Sequence, residues 1–179
     1  MHNKCIKTLE ANKGIIIFAV VGYPRSRTKW FAEFLTHGNN VCLHEPPFND
    51  WFDLVKFVND GNGISDSALI LSWKELINRI PEIKIVLVKR PKSEVKESLS
   101  KIGLNMTDHG YEAIEDSISE LEKQPNVYVV DYHNINNEHK NIFRFCRGYD
   151  CPDEKSALLN TNIQYSLSDI EAMKNNIGR

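Results

Sequence analysis

Residues 15–30 read Ile15-Ile16-Ile17-Phe18-Ala19-Val20-Val21-Gly22-Tyr23-Pro24-Arg25-Ser26-Arg27-Thr28-Lys29-Trp30. Seven consecutive apolar residues end at a glycine, and a turn carrying proline and two arginines follows. A short unbroken apolar run predicts a strand covered on both faces, as in a parallel sheet flanked by helices. The stretch 26–36 then places Trp30, Phe31, Phe34 and Leu35 at helical spacing. Strand, tight turn and helix in direct succession bring backbone N–H groups and the positive end of a helix dipole to one point, where an anion such as phosphate fits.

The same alternation runs outward from this segment. Apolar runs at 83–88 (IKIVLV) and 127–131 (VYVVD) predict two more strands, and 41–44 predicts a weaker one before Pro46-Pro47. Helical spacing is read at 48–58, 72–80, 93–102, 112–123, 140–147 and 168–176. Pro91 stands just before one of these, where a missing N–H costs little, and Ser168 with Glu171 forms a capping box. Polar segments 134–138 and 150–154 read as loops. Strands and helices in alternation predict an α/β fold with three layers, α/β/α, around a mostly parallel central sheet of the nucleotide-binding P-loop kind.

The 179 residues, without repeat, linker or compositional break, predict one domain over 1–179. Charged residues are 26% and apolar residues 41%, which argues against disorder. The formal charge of -2 offers no bulk basic surface for nucleic acid. An apolar run of seven is far below the roughly 20 residues of a membrane span, and no small-x-small cleavage site follows it, so neither anchor nor signal peptide is expected. Cys5, Cys42, Cys146 and Cys151 form no C-x-x-C pair and suggest no zinc site. Reduced thiols and a cytoplasmic location are the expectation.

The loop is not a Walker A loop. Counting from Gly22, the positions for Gly-Lys-Ser/Thr hold Arg27, Thr28 and Lys29, so the second glycine is missing and the lysine is one place late. A second segment, Arg90-Pro91-Lys92-Ser93-Glu94-Val95-Lys96-Glu97-Ser98, puts an arginine at a strand's carboxyl end, where α/β sheets bind ligands, and a serine eight residues on.

Pro24, Arg25, Ser26, Thr28 and Trp30, followed in order by Arg90 and Ser98, resemble the two cofactor motifs of sulfotransferases that use 3′-phosphoadenosine 5′-phosphosulfate (PAPS). The likeness is to small bacterial or phage-like and carbohydrate-type members, and spans about residues 15–147. It implies that Arg25, Ser26 and Thr28 hold the 5′-phosphosulfate, with Arg27 and Lys29 in the same loop. It implies that Trp30 contacts adenine, although core packing beside Phe31 and Phe34 fits Trp30 as well. Arg90 and Ser98 would bind the 3′-phosphate, which remains on the product PAP, and Arg147 in Cys146-Arg147-Gly148-Tyr149 is a further candidate ligand. Arg27 stands where the related loops have glycine, which bears on the loop's geometry. Val127-Tyr128-Val129-Val130-Asp131-Tyr132 is a weaker echo of a late family strand. No metal is implied.

Sulfuryl transfer needs an in-line acceptor, cations to stabilise the leaving group and a base within reach of the acceptor's proton. Arg25 is the candidate cation. The base is sought in His44-Glu45-Pro46-Pro47, where similar family members carry a Glu-Pro pair; Glu45 is favoured over His44, and His109 comes third. On an extended strand His44 and Glu45 would face opposite sides. A small molecule or carbohydrate, bound near 51–63 and 104–111, is the expected acceptor. A P-loop kinase-like phosphotransferase and a nucleotide-binding protein without turnover are the rival readings.

Overall fold

A computed structural model describes residues 16–161 and 163 of the chain. The apolar runs form the centre of a five-stranded sheet. β1 (Phe18–Gly22) lies between β3 (Gly63–Ser65) and β4 (Lys84–Lys89), with β2 (Cys42–His44) and β5 (Val127–Asp131) at the edges, in the order β2-β3-β1-β4-β5. Every pairing is parallel. All five carboxyl ends therefore open on one edge, and the loops that leave them meet there.

Helices cover both faces, which explains why the central strands are apolar without alternation. On one face, α1 (Thr28–Leu35) and α6 (Ile135–Arg147) bury Trp30, Phe31, Phe34, Ile142 and Phe143 against Phe18, Val20, Val86 and Val88. On the other, α2 (Trp51–Asn59), α3 (Trp73–Arg79), α4 (Lys92–Ser100) and α5 (Asp108–Leu121) pack Leu54, Leu76, Val95 and Ile118 against Ala19, Val21, Ile85 and Leu87. A short helix, α7 (Asp153–Ser156), runs into a 3₁₀ turn at Ala157–Asn160. The α/β class read from the sequence is what the chain adopts.

Several boundaries differ, each for a local reason. α1 begins at Thr28 rather than residue 26 because Arg25 and Arg27 take φ of 67° and 63°, which a right-handed helix excludes. α5 starts at Asp108, four residues earlier than its apolar face suggests, because the Thr107 side chain accepts from Gly110 N–H and caps it. The polar stretch 134–138 is not a loop: it holds the start of α6, solvated except at Ile135, which is buried with Ile142, Phe143 and Cys146 on one stripe. The stretch 150–154 ends inside α7.

β3 has no counterpart in the sequence reading. Segment 51–63, expected near an acceptor, contains helix α2 with Leu54 and Val58 buried, and ends at the first residue of β3. Gly63 is required there: a Cβ would stand 2.1 Å from Phe18 Cζ. The helix expected at 168–176 and Cys5 lie outside the described residues. Among the described residues no helix is long and apolar enough to cross a membrane, and Cys42, Cys146 and Cys151 are free thiols.

Candidate functional site

The site lies where the parallel strands end. β1 runs into the loop 23–27, β2 ends on His44 before Glu45, β3 ends on Ser65 before Asp66, β4 leads to Arg90, and β5 leads to Tyr132. This carboxyl edge is where open α/β sheets receive ligands.

In the loop after β1, the left-handed conformations of Arg25 and Arg27 flank Ser26. Such conformations cost about 1–3 kcal/mol each in a non-glycine residue and collect at functional sites. The first N–H groups of any α-helix have no partner within it, and at α1 the Arg27 side chain supplies no cap. Ser26 is fully buried, and its Oγ has no hydrogen-bond partner among the described residues. A buried hydroxyl left so costs roughly 1–3 kcal/mol. A phosphate oxygen at this helix end would relieve both deficits.

Beside the loop, residues far apart in sequence converge. Arg25 Nε donates to Ser98 Oγ at 3.4 Å, and Arg90 Nη1 donates to the Arg25 carbonyl oxygen. The Arg90 guanidinium carbon lies over Tyr132, 4.2 Å from the ring centre, and Arg90 Nε donates to Glu94 at 3.4 Å. Glu94 in turn meets His133 at 2.7 Å. Arg25, Arg90, Ser98 and Lys101 line a hollow of about 400 Å³ together with Glu94 and Glu97. Burial and then the neighbouring Arg90 push the Arg25 pKa down, the signature of two cations sharing one recess. Lys101 escaped the sequence reading, although its spacing of three from Ser98 puts the two on one helix face.

A second hollow of about 350 Å³ lies between Arg27, Tyr132, Asn136 and Asn160, with an edge of Trp30 in its wall. Trp30 itself is 1% exposed. It stacks on Phe34 at 4.6 Å, meets Phe31 edge-on, and donates its Nε1–H to the Leu158 carbonyl at 2.8 Å. Most of the ring is thus core. Arg27 covers the ring at 4.3 Å and donates to Asn136 Oδ1 at 3.0 Å and the Leu158 neighbour Leu159, through its carbonyl, at 3.3 Å. Arg27 thus ties the loop to α6 and to the segment after α7.

At the other end of the loop, His44 Nε2 lies 3.0 Å from Thr28 Oγ1 and 3.7 Å from Glu45 Oε1. The expectation that His44 and Glu45 face opposite sides is wrong. Glu45 takes φ 45°, which ends the strand and brings its carboxylate back beside the imidazole. Ser67 Oγ donates to Glu45 Oε1 at 3.0 Å. Burial lowers the His44 pKa, with Lys29 acting in the same sense and Glu45 and Asp66 against it. Asp66, which no sequence motif marked, has its pKa raised by burial and by Glu45, while the Ala68 N–H that it accepts at 2.7 Å opposes the rise. His109 is exposed in the first turn of α5.

Arg147 is no phosphate ligand. It is 7% exposed at the carboxyl end of α6. It donates to the carbonyls of Leu35 at 2.8 Å, Asn40 at 2.9 Å and Gly61 at 3.2 Å. Its guanidinium carbon lies 4.7 Å from the centre of the Phe18 ring. These contacts give it a structural role. Among the described residues there is no group of three or more His, Cys, Asp or Glu side chains that could hold a metal ion.

Fold and site together define a parallel α/β protein whose carboxyl edge carries a strained, arginine-bearing loop beside a recess lined by Arg25 and Arg90. No protein-family model matches the chain, and no curated protein matches it significantly. Among solved structures it is similar to a sulfotransferase from Alicyclobacillus acidocaldarius, at 13% identity over 91% of each chain with a TM-score of 0.49. It is also similar to mouse sulfotransferase SULT7A1 complexed with PAP, at 13% identity over 98% of this chain and 69% of that one, with a TM-score of 0.46.

Proposed function

We propose that this protein is a sulfotransferase that moves the sulfuryl group of PAPS to a hydroxyl or amine acceptor. The convergence of Arg25, Arg90 and Ser98 on one recess beside the loop after β1 carries this reading. A nucleotide with a single phosphate chain needs one anion site, whereas PAPS carries a separate 3′-phosphate. The chain offers two places: the end of α1, and the recess under Arg90.

The residues fit that ligand. Ser26 Oγ, buried and without a hydrogen-bond partner among the described residues, and the start of α1, which the Arg27 side chain does not cap, would supply donors for one phosphate. Arg90 and Ser98 would hold the other, and Arg25 lies between the two groups. The hollow between Arg27 and Tyr132 is the place for the adenine. When bound, PAPS supplies the electrophilic sulfur: the acceptor's oxygen or nitrogen bonds to it as the bond from sulfur to the phosphate oxygen breaks, the electron pair leaving on that oxygen. Arg25 stabilises the charge that gathers there, as preorganised cations do at a developing anion. Glu45 would take up the acceptor's proton, with the His44 imidazole 3.7 Å from its carboxylate.

Calorimetric titration with PAP, ADP and ATP tests the nucleotide, and transfer of labelled sulfate from PAPS into a metabolite extract tests the reaction. PAP binding well above ADP, with label in a new product, is the expected result. Equal affinity for PAP and ADP would remove the reading, and tight PAP binding with no transfer would leave a nucleotide-binding protein without turnover.

A further inference from the structure

His44 joins three parts of the site. Its ring nitrogen Nε2 meets Thr28 Oγ1 at 3.0 Å and Glu45 Oε1 at 3.7 Å. Thr28 is fixed from the sheet side, where Ser65 Oγ donates to its carbonyl at 2.7 Å. Ser65 and His44 are register partners on adjacent parallel strands, so both side chains rise on the face covered by α1.

A neutral imidazole carries one proton: the nitrogen holding it donates and the other accepts. With the proton on Nδ1, the Nε2 lone pair would face the Glu45 carboxylate, and Thr28 would commit its only O–H to the ring. With the proton on Nε2, the ring donates to Thr28 Oγ1, the Glu45 carboxylate lies 3.7 Å from the same N–H nitrogen, and the Thr28 O–H is not committed to the ring. Burial favours the neutral ring, against the pull of Glu45 and Asp66.

We infer that His44 is a positioning residue held in its Nε2–H tautomer, which orients the Thr28 hydroxyl as a donor at the anion site and leaves the acceptor's proton to Glu45. In that tautomer Nε2, the nitrogen beside Thr28 and Glu45, already carries its proton and cannot take the acceptor's. The adjacent residues His44 and Glu45 therefore divide the work: one arranges the loop and the other is the base. The two Nε2 contacts carry the tautomer, while what Thr28 donates to rests on the proposed function.

Two measurements on the full chain test this. Side-chain ¹⁵N–¹H correlation spectra of histidine-labelled protein separate the tautomers, and His44→Gln identifies the His44 signal. Nε2–H at neutral pH is expected with and without PAP; a proton on Nδ1, or a doubly protonated ring, would overturn the inference. The second measurement compares variants. A Gln amide can donate from near the Nε2 position but accepts no proton, so His44→Gln should hold PAP affinity within about threefold and turnover within about tenfold, while His44→Ala loses about tenfold in PAP affinity. A His44→Gln enzyme with normal PAP affinity and turnover lowered about a thousandfold would make His44 the base. If the unmodified protein fails to bind PAP, the proposed function falls, and the spectrum of the free protein still decides the tautomer.

Discussion

Arg90 donates through Nη1 to the carbonyl oxygen of Arg25, 65 residues earlier in the chain. The bond locks the loop after β1 to the loop after β4, whose strands are neighbours in the sheet. One guanidinium thus shapes the backbone beneath the other, and both point into the same recess. Changes at Arg90 are expected to reach Arg25 as well.

The proposed 3′-phosphate contact makes PAP bind at least about tenfold more tightly than ADP, a difference of roughly 1.4 kcal/mol that one charge-assisted contact can supply. Arg90→Ala is expected to abolish most of that preference and, by loosening the Arg25 loop, to weaken both nucleotides somewhat. Calorimetry with each nucleotide measures it. Full selectivity in the variant would place the 3′-phosphate elsewhere.

Glu45 and Arg25 should separate kinetically. Glu45→Gln keeps the size of the side chain and its bond from Ser67 but cannot take a proton, so turnover falls by about 10²–10⁴ with little change in PAP affinity. Arg25→Ala is expected to lower both. Single-turnover rates with calorimetry distinguish the two patterns, and a Glu45→Gln enzyme of near-normal rate would rule this carboxylate out as the base.

Gly63→Ala tests the sheet. The new methyl would stand 2.1 Å from Phe18 Cζ, in a ring that is fully buried. Overpacking of this kind costs typically about 1–3 kcal/mol, and more where backbone on both sides is fixed. The urea midpoint should fall with its slope unchanged. An unshifted midpoint would mean that Phe18 has room the structure does not show.

Asp66→Asn should stabilise the fold at pH 7. Burial raises the folded-state pKa of Asp66 above its unfolded value, so the native state binds the proton more tightly and ionisation at higher pH opposes folding. Asparagine keeps an oxygen to accept the Ala68 N–H and carries no charge. The gain in melting temperature should be full above the folded pKa and shrink as pH falls toward about 3.9, the unfolded value. A variant less stable than the parent at pH 7 would show that the Asp66 charge is needed, not tolerated.

What the sequence disclosed follows from how each element is held. β1 and β4 were readable because burial on two faces leaves continuous apolar runs, and β5, an edge strand in which only Val130 is buried, because it is rich in β-branched and aromatic residues. β3, Gly63-Ile64-Ser65, carries one apolar side chain and owes its conformation to β1 and β2 on either side, so no local signal marks it. Asp66 was hidden with it. Arg25, Arg90 and Ser98 were named from a resemblance in the order and spacing of two short motifs, which needs no knowledge of the fold, and the structure brings them together. The pairing of His44 with Glu45 could not be read, since it depends on one left-handed residue that alternation does not foresee. Arg147 was misread because a charge near a motif-like segment says nothing of which edge of the sheet it reaches.

The buried Arg147 also sets an order in time. The Leu35 carbonyl, the last of α1, accepts from a guanidinium that is synthesised 112 residues later, and the Gly61 carbonyl waits 86 residues for the same group. A nascent chain that has made β1, α1 and β2 therefore lacks the cation that closes their far edge. Contacts of such sequence separation form late and slow folding. The sheet that carries the proposed anion site at one edge is thus closed at its opposite edge only after α6 has left the ribosome.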